Sequence, residues 1–551
     1  MTRFILIWFL SLALANGLKA INITPENVVI ETDRDIYIAG EDVYFGVFID
    51  SRQKNNETSN VCYIVLRNER NTILRYYVKA VNNGTQSSFY LPDTLKTGYY
   101  ELVAFTNYMR NFGEETYSRK QLIVVNRFDE WFTGLKHVNT DESNSPALGI
   151  NPEVIMLNTG KDTFGIRENV NLEIVSKQPL KNISITVKEH NTYSHSLLKQ
   201  PAILPLIYNQ SELKYEPETK GIQMYGKLWN GNIPVENECL YVTTPDTFPN
   251  LQYTFTNKEG EFSFILSDYY AGKPVIITTR QNYQGKYRIT IDDKFELSTP
   301  FVPDKKSFDA TLRKYIIESQ NIVKVRKAYN INHSKRLIHP GGSQNIPFVY
   351  HEPTKVVFPS QFITLNNFEE IVNNLLPGFR IKLKDGFIRG YNLNPATGLL
   401  FENSSAIFLN GVNVYNLNSV MNFSTPDITK IELCNENRLK GRIQFQGIIS
   451  INTPKILNYE EVLPGSLITR LDKELATISY ASPQYPAYPT KDLLPDFRQT
   501  LYWNTISELK EKKAFNFYTS DWSSSYIVEV KATTLDGNQI VSYKIINILG
   551  Q

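Results

Sequence analysis

The sequence predicts a mainly β, multidomain chain: a string of Ig-like β-sandwiches that carries one α+β domain in its second half. Three observations predict it. Of 551 residues, 33 are Tyr and 30 are Phe, against only 5 Met, a bias toward residues that fit a pleated surface. Short apolar/polar alternations recur between Gly, Asn and Asp turns, and only one long stretch, 304–329, carries helical spacing. The length exceeds what one hydrophobic core supports, so roughly three to five domains are expected. A net charge of +2 without a basic stripe gives no reason to expect nucleic acid.

The elements follow in chain order. Arg3 precedes an apolar run over residues 4–14, and Ala13-Leu-Ala15 supplies small residues suited to a signal peptidase, so 1–15 is expected to be a secretory signal. The run is shorter than the ~18 apolar residues a spanning helix needs, so peripheral rather than spanning membrane association is expected. Thr32-Asp-Arg-Asp-Ile-Tyr37 with Gly40-Glu41, then Leu91-Pro-Asp93 and Thr97-Gly-Tyr-Tyr100, mark strand starts. In Gly98-Tyr-Tyr-Glu-Leu-Val-Ala104 the alternation predicts a half-buried strand, with Tyr99, Glu101 and Val103 on one face. These residues resemble a macroglobulin-type sandwich over 21–127. A weaker likeness covers 147–215, through Phe164-Gly-Ile-Arg-Glu-Asn-Val-Asn-Leu172 and Ile183-Ser-Ile-Thr-Val187. The Cys-Gly-Glu-Gln thioester by which macroglobulins trap proteases is absent, so trapping is not expected.

Tyr225-Gly-Lys-Leu-Trp-Asn-Gly231 and Thr256-Asn-Lys-Glu-Gly-Glu-Phe-Ser-Phe264 place glycines at hairpin turns and turn Phe262 and Phe264 inward. Residues 220–299 resemble the carboxypeptidase-regulatory-like sandwich, a non-catalytic module. Stretch 304–335 is expected to be a helical linker whose Arg313, Lys314, Lys324, Arg326 and Lys327 form a solvated face. His333, His339 and His351 follow at irregular spacing and are expected to be loop residues.

Ala406-Ile-Phe-Leu-Asn-Gly-Val412, Ile428-Thr-Lys-Ile-Glu-Leu433 and Gly447-Ile-Ile-Ser-Ile-Asn-Thr453 read as strands punctuated by turns. Their order resembles the plug of TonB-dependent outer-membrane receptors, over 355–456. Asn410 stands where Asp is usual, a harmless exchange at positive φ, and Lys440-Gly-Arg-Ile-Gln-Phe-Gln-Gly447 replaces a Gly-rich run. The 98 residues after Thr453 are too few for a 22-stranded barrel, whose strands need roughly 9 to 11 residues each. Bacteroidetes envelope proteins combine these modules, and 485–551 resembles a terminal macroglobulin-like sandwich through Pro495-Asp-Phe-Arg-Gln-Thr-Leu-Tyr-Trp503.

The search for chemistry yields no catalytic site. The chain has no Gly-x-Ser-x-Gly elbow, no phosphate loop and no His-Glu-x-x-His. Glu369 and Glu370 are neighbours on a helix, about 100° apart, and so do not flank one bond. Cys62, Cys239 and Cys434 lack metal-ligand spacing, and Cys62 sits in an apolar alternation. No enzyme activity, cofactor or metal is expected.

The resemblance implies a non-enzymatic envelope protein, periplasmic or associated with the outer membrane, whose plug-like domain occludes or gates a β-barrel supplied in trans. Turns beside a rigid sheet are where recognition residues sit. The expected partner contacts are therefore Asn410, Gly411, Asn413, Tyr415, Asn416 and Asn418 in one loop. Arg438, Lys440, Arg442, Gln444 and Gln446 are expected in the other. The alternative reading is a glycan- or protein-binding scaffold, with Phe497, Tyr502 and Trp503 as a stacking row.

Overall fold

The computed structural model describes residues 23–50, 57–129, 154–191, 213–245, 251–266, 274–279, 287–304, 310–329, 334–336, 352–454, 457–485 and 494–550. The signal-like segment 1–15 and the three loop histidines lie outside them. The chain is mainly β and divides into two compact units, each built from separated stretches of sequence.

The first unit holds two sandwiches. In the first, Asn27–Thr32, Asp42–Asp50 and Gly84–Tyr90 form one sheet. The facing sheet runs Ile36–Ile38, Ser118–Val125, Gly98–Phe105, Val61–Arg67, Thr72–Lys79 and Lys473–Glu474. Val61–Arg67 is buried throughout and apolar as far as Leu66 because both of its faces are covered. Gly98–Phe105 is likewise buried from Tyr100 onward, rather than half-exposed, and its Glu101 is held 2.6 Å from Arg67.

The second sandwich corrects the sequence-based division. Leu180–Glu189 lies hydrogen-bonded between Thr500–Leu509 and Ser525–Thr534, and Asn169–Ser176 pairs with Lys512–Tyr518. Residues 154–189 and 500–549 are therefore two halves of one sandwich, not two domains. Neither half has the strands to close a core alone. Their shared interior contains Val170, Leu172, Ile185, Val187, Phe517, Val528 and Ile546.

Helix Ala310–Ala328 is also more than a linker. Leu312, Tyr315, Ile316 and Val323 pack on Ile36, Ile38, Ile123 and Val125 of the first sandwich. Arg326 reaches Glu41 at 3.5 Å and Lys327 pairs with Asp93, so part of the expected solvated face is engaged.

The second unit joins a sandwich to a mixed sheet. Ile222–Asn230 bonds to Glu261–Leu266, Tyr287–Ile291 and Ile233–Pro234. Facing them are Gln252–Phe255, Cys239–Thr243, Pro274–Thr279 and Leu467–Arg470. Phe262 and Phe264 are buried between the sheets. Leu467–Arg470 extends this sandwich beyond the 220–299 span, returning after the mixed sheet to complete it.

The mixed sheet runs Lys355–Val357, Lys430–Lys440, Ile443–Asn452, Ala406–Leu409 and Val412–Val414, with Ala406–Leu409 parallel to Ile443–Asn452. Helix Phe368–Leu375 covers one face. Its start is set by Asn367, whose side chain accepts from Glu370 N at 2.9 Å, and Phe368, Ile371, Val372 and Leu375 recur at helical spacing into the core. The sandwich covers the other face: Cys239, Tyr241 and Leu251 meet Phe408, Cys434, Ile443 and Phe445.

Candidate functional site

The first candidate loop is committed to its own fold. Asn410 and Gly411, with φ of 47° and 79°, are the two central residues of the turn joining Ala406–Leu409 to Val412–Val414. Asn410 Nδ2 donates to Thr453 Oγ1, and its Oδ1 accepts from Thr453 N, both at 2.8 Å. Asn413 is buried and donates to Ile407 O at 3.3 Å. Tyr415 donates its hydroxyl to the Thr279 carbonyl of the adjoining sandwich, and burial raises its pKa. Asn416 Oδ1 accepts from Asn418 N at 3.0 Å, while Asn418 Oδ1 accepts from Ile388 N at 2.8 Å.

The second loop docks on the sandwich of its own unit. Gly441, at φ 56°, forms the tip of the hairpin between Lys430–Lys440 and Ile443–Asn452, and a Cβ there would lie 2.1 Å from Tyr253 Oη. Arg442 N donates to that hydroxyl at 2.8 Å, and the Arg442 guanidinium sits 4.4 Å from the Phe255 ring centre. Lys440 Nζ donates to Leu251 O at 2.5 Å, and its burial lowers the ammonium pKa. Arg438 pairs with Glu436 at 2.8 Å, and Gln446 Oε1 accepts from Asn403 N at 2.8 Å. Gln444 is exposed. Most of these residues thus bond within their own unit, while Asn418, Arg442 and Gln444 are exposed.

The aromatics of the alternative stacking row sit in separate contacts. Trp503 is 2% exposed and packs in a cluster with Tyr44 and Ile478. Tyr502 lies against Phe515 and Phe517, and Phe497 meets Trp522 edge-on at 6.0 Å. These are packing contacts between aromatic side chains.

A dense polar cluster joins the two sandwiches of the first unit. Lys120 lies 3.0 Å from Asp35 and 3.5 Å from Glu31; Lys531 lies 3.1 Å from Glu31 and 3.3 Å from Glu529; Lys188 lies 3.5 Å from Glu529. Burial pushes the Asp35 carboxyl up, but Lys120, Lys188 and Lys531 outweigh it and hold it well below the usual range. Beside this network Arg34 donates to Gln499 Oε1 at 3.0 Å, and Thr500 donates to Asp33 at 2.6 Å. An adjoining cavity of about 20 Å³, lined by Tyr44, Arg326, Tyr480 and Phe497, has room for a single water. Saturated ion pairs of this kind fix orientation; they do not supply a free acid or base. Among the described residues no group of His, Cys, Asp and Glu is placed to hold a metal, and no helix is long and apolar enough to cross a membrane.

One feature went unread in the sequence. Phe379–Lys384 and Phe387–Asn392 form a separate two-stranded ribbon, closed by an Asp385-Gly386 turn with φ of 53° and 80°. Arg380, Lys382 and Lys384 are exposed along its first strand. Three cations at alternate positions before Asp-Gly were the available signal.

No protein-family model matches the chain, and no curated protein matches it. Among solved structures, Salmonella α2-macroglobulin reacted with methylamine aligns with 97% of this chain and 40% of its own, at 7% identity and a TM-score of 0.23. Trypsin-activated α2-macroglobulin from Escherichia coli gives 97% and 42%, at 7% identity and 0.22. The adhesin InvE of Yersinia pseudotuberculosis gives 48% and 58%, at 10% identity and 0.14. The chain therefore spans about 40% of the macroglobulins it aligns with.

Proposed function

We propose that this is a non-enzymatic envelope protein in which the mixed-sheet domain acts as a plug, occluding or gating an outer-membrane β-barrel supplied in trans. The sandwiches serve as its scaffold. One observation carries the reading: the three separated motifs at 406–412, 428–433 and 447–453 come together in a single mixed sheet with a helix packed on it. That arrangement supports the likeness to receptor plugs, and the charge weld between sandwiches suits a scaffold that must hold a fixed shape.

The committed state of the two loops changes what a test should perturb. Deleting 410–418 would remove core residues such as Val412 and Leu417, so loss of binding would report unfolding. The better experiment is capture of the full chain from native envelopes after chemical cross-linking, with mass spectrometry of partners and cross-linked residues. Support is a stoichiometric outer-membrane barrel cross-linked within 355–454. Recovery of the protein alone, or cross-links confined to the sandwiches, overturns the proposal.

A further inference from the structure

The ribbon formed by Phe379–Lys384 and Phe387–Asn392 has two unlike faces, set by its register. Directly opposed residues of an antiparallel pair point to the same side. Phe379 with Asn392, Ile381 with Gly390 and Leu383 with Ile388 make one face, and Phe379, Ile381 and Ile388 of this set join the core beneath the mixed sheet. Arg380 with Tyr391, Lys382 with Arg389 and Lys384 with Phe387 make the other. Four cations therefore share one face of a 14-residue ribbon, in a chain whose total charge is +2.

Their arrangement is locally unfavourable. Lys382 stands across from Arg389, with Cβ atoms about 5 Å apart, and like charges so placed destabilise a strand pair. The nearby counter-charge is Asp385 at the turn, 3.7 Å from Arg389 and itself exposed. Lys382 and Lys384 have no carboxylate partner among the described residues, and both are exposed. Along the strand the cations repeat about every 6.6 Å.

We infer that this basic face docks on a carboxylate-rich protein surface, which relieves the opposed charges. The inference rests on the plug reading and names the surface of the partner that the plug would meet: an acidic wall or rim of the barrel. A protein surface fits better than lipid. Membrane-surface binding joins basic residues to an apolar wedge on the same side. Here the fully exposed apolar residue, Leu383 at 75%, lies on the opposite face, while on the basic face Tyr391 is buried and Phe387 is half-buried.

The test uses the full chain and a labelled ten-residue polyglutamate peptide as the carboxylate probe, followed by fluorescence anisotropy. Lys382→Glu combined with Lys384→Glu should weaken binding about tenfold or more, whereas Lys512→Glu with Lys513→Glu, exposed cations on another edge, should change it less than about twofold. Wild-type affinity should fall about tenfold between low and high salt. Circular dichroism checks that both double variants remain folded. Equal loss in the two variants, or no loss in the first, overturns the inference. Binding to phosphatidylglycerol vesicles that depends on Lys382 and Lys384, without peptide binding, overturns it in favour of lipid. In the envelope capture, a barrel recovered equally by wild type and the ribbon variant removes the inference and leaves the plug proposal standing. Absence of any barrel with wild type removes the plug proposal instead.

Discussion

Gly447→Ala offers a sharp test of how the mixed sheet is assembled. Gly447 has φ of 79°, and a Cβ there would lie 2.5 Å from Asn392 Nδ2 and 2.7 Å from Asn392 Cβ. Asn392 is fully buried, and its Nδ2 donates to Ser405 Oγ at 3.0 Å and to Ile448 O at 3.4 Å. Left-handed backbone costs a side-chain-bearing residue about 1–2 kcal/mol. Displacing Asn392 strands buried polar groups at about 1–3 kcal/mol. The sum is about 2–5 kcal/mol. Gly386→Ala supplies the control, because Gly386 has a similar φ of 80° but open space around it, so only the backbone term applies. Hydrogen exchange read on peptides covering Ile443–Asn452 should show opening about 30-fold to several thousand-fold more frequent in Gly447→Ala, since 1.4 kcal/mol is a factor of ten. Exchange at this strand no faster than in Gly386→Ala would refute the role given to Asn392.

Three further outcomes follow from the same structure. Lys531→Met removes a partner from both Glu31 and Glu529 and should cost about 3–5 kcal/mol in chemical denaturation; a loss below about 1 kcal/mol would mean that water screens the network. Glu114 is pushed up by burial but held down to about 2 by hydrogen bonds from Thr299 and Ser298, against an ordinary value of 4.5. Its folded pKa is the lower one, so its stabilisation is present above about 4.5 and lost as pH falls toward 2; Glu114→Gln should flatten that limb of a stability-pH curve. Asn410→Ala should cost about 1–3 kcal/mol through backbone strain and the lost Thr453 bonds, and Asn410→Gly should recover the strain part, both read as shifts in urea midpoint.

The mainly β character was legible because strand residues and turn residues alternate locally, as in Thr256-Asn-Lys-Glu-Gly260 before Phe262 and Phe264. Pairing across long separations was not legible. Nothing near Ile183 or Val187 states that Thr500–Leu509 and Ser525–Thr534 flank them, since β-pairing is fixed by burial and register rather than by neighbours in sequence. The helix Ala310–Ala328 was visible as a period, but its docking depends on Ile36 and Ile123, far away in the chain. The internal bonds of the candidate loops were not legible for a related reason. Asn-Gly marks a turn equally well whether the turn faces solvent or, as with Asn410 and Thr453, ties two strands together. The ribbon's cations were visible, yet only the register puts Lys382 opposite Arg389.

The split second sandwich sets a timetable for the growing chain. Leu180–Glu189 leaves the ribosome with both edges bare, and its flanking strands begin at Thr500, some 311 residues later. At roughly 5–20 residues per second that is a wait of about 15–60 s, during which Ile183, Ile185 and Val187 lack their final cover. The second unit is synthesised entirely inside that interval. A chain that stops short of Thr500 keeps an open pair of strand edges, the feature on which holding chaperones and proteases act. Completion of the last strands therefore doubles as a check that everything encoded between the two halves has been made.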